Sequence, residues 1–152
     1  MPDLTTHLAA AYLVAETKQN ISQEAKTLFL IGNLLPDLLT RPLNVAFPRL
    51  CWLFAPLHTP VGLILVCGLV TYAFEKRLRG VVFRALALGV GLHLLLDALQ
   101  KRVTDVYGIL FPFAWKDIYI GVFWPDQSLW ALPFLLIASA AMHWWRRTGA
   151  NR

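Results

Sequence analysis

The chain has 152 residues, of which 57% are hydrophobic and only 15% charged, with a mean hydropathy of +0.55 and a formal net charge of +5. That composition excludes an ordinary soluble domain and points to a single small membrane-embedded unit, residues 1–152, with no linker, internal repeat or low-complexity stretch. The basic surplus argues against nucleic acid as a partner, because Lys and Arg gather at the ends of apolar segments with no RNA- or DNA-binding motif beside them; anionic lipid headgroups are the expected contacts.

In chain order, the first helical pattern runs from Thr6 to Ala15, headed by His7 and closed by Glu16. Asp3 stands where a signal peptide would carry a basic cluster, so no cleavable leader is expected there. A second pattern runs from Ala25 to Leu35. Both fall short of the roughly 20 residues that cross a bilayer and are expected to be tilted, re-entrant or packed against longer helices. The stretch from Pro36 to Pro60 reads as an apolar, proline-rich loop. Three runs then approach spanning length: Leu57 to Phe74, Gly80 to Leu99, and Leu129 to Trp145. Between the last two, the segment from Val106 to Pro125 carries Tyr107, Phe111, Phe113, Trp115, Tyr119, Phe123 and Trp124, the make-up of an interfacial aromatic belt or of a cover over a site. Cys51 and Cys67 form no CxxC pair and read as packing residues. The expected fold is an all-α integral membrane bundle of about five helices, three spans plus two shorter N-terminal helices.

Lys76, Arg77 and Arg79 in one tight turn, with Arg146 and Arg147 after the last span, orient both places toward the cytoplasm. Alternation then carries five rare polar residues to the opposite face: His7 at the start of the first helix, Asp37 after the second, His58 at the opening of the third, and His93 with Asp97 near the far end of the fourth. His93 and Asp97 lie at i, i+4, on one face of an otherwise apolar segment. A carboxylate at the centre of a spanning helix costs roughly 2.5–3.5 kcal/mol on insertion scales, so such a residue normally faces partners rather than lipid. Three imidazoles and two carboxylates at one level suit Zn²⁺, or Mn²⁺ or Fe²⁺ with more carboxylate and water in the shell. Each residue has a plainer alternative: a solvated helix-start histidine for His7, a turn residue for Asp37, a capping role for His58 before Thr59-Pro60, and a buried ion pair for His93 and Asp97. His143, beside Trp144-Trp145-Arg146-Arg147, is expected at the other interface and outside any ligand set.

Thr6-His7, Gly32-Asn33-Leu34-Leu35-Pro36-Asp37, His58-Thr59, Gly91-Leu92-His93-Leu94-Leu95-Leu96-Asp97 and Leu110-Phe111-Pro112-Phe113 together resemble the YdjM-like family of membrane-bound metal-dependent hydrolases, over about Thr6 to Phe113. That family is itself similar to zinc-dependent phospholipase C in its helical metal-binding pattern. The resemblance implies phosphoester hydrolysis by a metal-activated water; with the metal held among His7, Asp37, His58, His93 and Asp97, Asp37 or Asp97 is free to act as general base, a site at the interface favours an amphiphilic, lipid-like substrate, and the expected location is a bacterial or archaeal inner membrane. Two positions depart from the family pattern: Leu39 where a second acid is common, and Leu53 where an additional His is common. What remains holds one ion, or two only with bridging carboxylates and waters. A non-catalytic membrane interaction or regulatory protein, and a small metal carrier, are the other functions expected of such a chain.

Overall fold

The computed structural model describes residues 4–18, 21–101, 111–113 and 120–149, and is all-helical there. Six α-helices follow in order: α1 Leu4–Thr17, α2 Gln23–Ala46, α3 Cys51–Phe54, α4 Pro60–Tyr72, α5 Arg79–Leu99 and α6 Ser128–Gly149, with short 3-10 turns at Pro48–Leu50, Ala55–His58 and Pro125–Gln127. Leu110 and the aromatics Tyr107, Trp115 and Tyr119 lie outside the described residues.

The largest departure from expectation is α2. Ser22 caps it by accepting from Ala25 N–H at 3.2 Å, and the helix then runs through Pro36 and Pro42 to Ala46, where a loop was expected from Pro36 onward. Each internal proline removes one backbone hydrogen bond, which in water costs about 3 kcal/mol or more. Neighbouring helices and hydroxyl side chains make the loss tolerable in an apolar setting. Here α2 forms its most extensive contact with α5, and Thr40 Oγ1 donates to the Pro36 carbonyl at 2.8 Å. Asp37 therefore lies within α2 rather than after a helix.

Contact between α2 and α5 is close because glycines face each other. A Cβ on Gly89 would lie 2.1 Å from the Phe29 carbonyl oxygen, and one on Gly32 would lie 2.3 Å from that of Leu86, so a side chain at either position would force the helices apart. Leu63, Cys67, Val82, Leu86 and Val90 form the apolar core. Cys67 is buried there, as packing predicts, while Cys51 is partly exposed with its thiol on the Pro48 carbonyl at 2.8 Å.

The expected third helix is shorter than its apolar run. Thr59 caps α4 by accepting from Gly62 N–H at 3.2 Å, Pro60 takes the first helical position, and the Pro48–His58 unit meets α4 at a 75° bend. At 13 residues α4 is about 20 Å long, too short to cross alone. Arg79 closes the turn into α5: its guanidinium donates to the Phe74 and Tyr72 carbonyls at 3.0 and 3.1 Å and lies 4.2 Å over the Tyr72 ring. Among the described residues, two helices, Arg79–Leu99 and Ser128–Thr148, are long and apolar enough to cross a membrane, with the bent Pro48–Tyr72 pair as a third if it acts as one broken span.

Polar side chains are buried beside the apolar core, and large apolar ones are exposed. His7, His93, Asn33, Thr40 and Asp37 are among the largest fully buried side chains, whereas Leu65, Leu69, Leu88, Trp130, Phe134 and Ile137 are each at least two-thirds exposed. These exposed apolar side chains are compatible with a membrane protein.

Candidate metal centre

The five residues singled out in the sequence fall into two three-residue groups that share His93: His58, His93 and Asp97, and His7, Asp37 and His93. His7 comes from the first turns of α1, Asp37 from within α2, His58 from the 3-10 turn that α4's cap fixes, and His93 and Asp97 from the last turns of α5. Asp97 is the hub. Its Oδ2 lies 3.0 Å from His58 Nε2 and 3.2 Å from His93 Nε2, while Oδ1 lies 3.5 Å from His7 Nε2. The two Nε2 atoms of His58 and His93 are 3.4 Å apart, and the His7 and His93 rings stack with centroids at 4.2 Å. His7, Asp37 and His93 form a second group whose ligand atoms lie within 4.8 Å of one another, sharing His93 with the first.

These separations are those of a coordination shell. With ligand bonds of about 2.0–2.1 Å, the edges of a tetrahedron are roughly 3.3–3.4 Å. Hydrogen bonding points the same way. Thr40 Oγ1 donates to the Pro36 carbonyl, so at its 3.3 Å contact with His58 Nδ1 it accepts, which puts the His58 proton on Nδ1 and turns the Nε2 lone pair toward Asp97. Two acceptors facing each other at 3.0 Å need a cation or a proton between them. Both ring nitrogens of His7 and Nδ1 of His93 are buried without a hydrogen-bond partner among the described residues. A divalent ion would satisfy the inward-facing donors of either three-residue group, His58, His93 and Asp97 or His7, Asp37 and His93, so these buried His and Asp groups could hold a metal.

Asp37 has a competing partner. Arg41, one turn further along α2, brings a guanidinium nitrogen to 2.7 Å from Asp37 Oδ2, although neither Asp37 oxygen has hydrogen-bond alignment. Arg41 is 36% exposed, whereas Asp37 is buried.

Two supporting residues escaped the sequence reading. Thr40 was unremarked, and Asn33 appeared only as part of a motif. With its amide oriented to suit both neighbours, Asn33 donates to the His7 carbonyl at 3.0 Å and accepts from His93 N–H at 3.2 Å, tying α1 and α5 together at two of the histidines. Continuing the helix through Pro36 is the signal that reveals them, since Asn33, Asp37, Thr40 and Arg41 then share one face. Leu53 is exposed and Leu39 half-buried, and neither carries a ligand atom.

His143 lies outside the cluster, its Nδ1 3.3 Å from the Tyr12 hydroxyl between α1 and α6. Residues 120–123 run beside the end of α5: Ile120 and Val122 N–H donate to the Ala98 and Leu99 carbonyls at 2.7 Å each, satisfying helix-end acceptors next to Asp97. Compared with protein-family models, curated proteins and solved structures, the chain matches none.

Proposed function

We propose that the chain is an integral membrane metal-dependent hydrolase, resembling the YdjM-like family, that cleaves phosphoester bonds in a lipid-like substrate. The observation that carries this reading is the convergence of His7, His58 and His93 on Asp97, with donor separations of 3.0–3.5 Å, inside an otherwise apolar bundle. In it, α5 and α6 cross the bilayer and the bent Pro48–Tyr72 unit completes a third passage.

His7, His58, His93 and Asp97 would be the ligands of one ion, for which the imidazole-rich set favours Zn²⁺ over Mn²⁺ or Fe²⁺. A divalent ion held there would supply a Lewis acid and lower the pKa of water toward about 7. Asp37 acts as general base, its carboxylate held by Arg41 rather than spent on coordination. It takes the proton of the attacking water as the water oxygen bonds to phosphorus and the ester P–O bond breaks, and it returns the proton to the leaving alkoxide. Arg41, charged and partly open to the exterior, holds the phosphate oxygens. An apolar exterior around the site favours a substrate that arrives through the bilayer.

Leu39 and Leu53, where the resembled family commonly has further ligands, favour a second reading, in which the centre is structural and the protein a membrane interaction or regulatory partner. Elemental analysis of the purified protein, with phosphodiesterase and phosphatase assays on phospholipid substrates, tests both. Stoichiometric metal with turnover supports the hydrolase; metal without turnover of any phosphoester supports the second reading; no metal removes both.

A further inference from the structure

Away from the His–Asp cluster, a groove of about 410 Å³ runs between the end of α1, the start of α2 and the first half of α5. Its walls are apolar, Val14, Phe29, Val81, Ala85, Leu88 and Leu92 among them, and its rim carries Lys18, Lys26 and Arg84. The rim sits toward the ends of α1 and α5 remote from His7 and His93: Lys18 follows α1, and Arg84 is on the second turn of α5. Arg84 Nε donates to the Gly80 carbonyl at 2.9 Å, turning its side chain back toward the start of α5, as a cation does when it reaches from an apolar segment to a headgroup layer. Lys26 is already paired with Glu16 at 3.3 Å, so Lys18 and Arg84 provide the net positive charge.

We propose that this groove is a binding site for one anionic phospholipid, an acyl chain lying along Phe29, Ala85 and Leu88 and the phosphate between Lys18 and Arg84. The proposal rests on the membrane reading given above but not on the hydrolase activity. Charge complementarity selects the occupant: an apolar trough alone accepts any acyl chain, whereas cations at its rim favour an anionic headgroup by about 1 kcal/mol each, or roughly fivefold in affinity. By the positive-inside rule this rim lies on the cytoplasmic side, with the basic turn Lys76 to Arg79.

Native mass spectrometry of the full-length protein, released from a neutral detergent with phosphatidylglycerol or phosphatidylcholine of identical acyl chains, tests it. Preferential retention of one phosphatidylglycerol is expected. Lys18→Gln and Arg84→Gln should each weaken it about fivefold and together about 25-fold. Arg77→Gln, on the exposed turn, should leave it unchanged, while Leu88→Trp, which fills the trough with the rim charges intact, should weaken it. Equal retention of the two lipids, a preference that survives the double substitution, or competition by glycerol phosphate as effective as by the intact lipid would overturn the site. The membrane reading fails separately, if the wild-type protein stays monodisperse without detergent and does not sediment with membranes.

Discussion

At the scale of single residues, Thr40 supports a ligand without being one, because its hydroxyl meets His58 at Nδ1 and leaves Nε2 toward Asp97. Thr40→Val, nearly isosteric but unable to accept, should weaken metal binding about 10- to 100-fold, as loss of a partner that orients a ligand commonly does, and Thr40→Ser should restore it. Competition against a chromophoric zinc chelator reads both. His93→Ala and Asp97→Ala should each abolish metal retention, since either leaves the hub of the site incomplete. His143→Ala should not, being engaged with Tyr12 instead. Full metal content in both α5 variants would make the pair a buried ion pair and nothing more. Asp37→Asn separates holding the ion from using it: metal content should persist while hydrolysis falls by about 10²- to 10⁴-fold, the usual contribution of a general base. Loss of metal in that variant would return Asp37 to the ligand set.

Among the elements, the α2–α5 crossing does the most to position the site, because Gly89 lies one turn before His93 and Gly32 lies just before Asn33. Gly89→Ala must push the two backbones apart, at a cost of about 1–3 kcal/mol for overpacking. Thermal unfolding in detergent should show it as a lowered Tm even in metal-free protein. Gly68→Ala on α4 is the matched control: its Cβ would meet nothing within 4 Å, so the better helix former should leave Tm unchanged or raise it slightly. Equal effects of the two substitutions would mean that the crossing is looser than its backbone contacts indicate. At the far end of the bundle, Glu16 joins Lys26 at 3.3 Å and Arg146 at 3.6 Å, linking α1, α2 and α6 about 13 Å along α1 from His7.

For the molecule as a whole, metal and fold should be coupled. An ion that binds only the native state, present at about 100 times its Kd, stabilises it by about 2.7 kcal/mol. For a chain of this size that corresponds to a Tm lowered by roughly 5–10 °C on chelation and recovered with Zn²⁺. A Tm indifferent to chelator and to added metal would count against a metal centre. Orientation is open to a separate check. With Cys51 and Cys67 replaced by Ser, a thiol reagent that cannot cross the membrane should label intact cells at Lys101→Cys and not at Arg79→Cys. Preferential labelling at position 79 would invert the bundle and place the His–Asp cluster on the cytoplasmic side.

Composition and apolar run length were enough to read a helical chain with bilayer-length segments, since hydropathy is a sum over residues and needs no partner. The five polar residues stood out for a related reason: ionisable groups in apolar surroundings are costly wherever they occur, so their presence made them candidates. Local rules misplaced the end of α2, because proline's cost was judged for an isolated helix and α5 was not there to offset it. That one error hid the face shared by Asn33, Asp37, Thr40 and Arg41. The length of the third helix was likewise decided by the turn that Thr59 and Pro60 impose, not by its hydropathy. Only tertiary structure could assign roles within the cluster. That Asp97 is the hub, that Thr40 sets the His58 tautomer and that Arg41 engages Asp37 depend on distances between atoms of different helices or turns, or on a helix running where local preference ends it, and neither is encoded in any single segment.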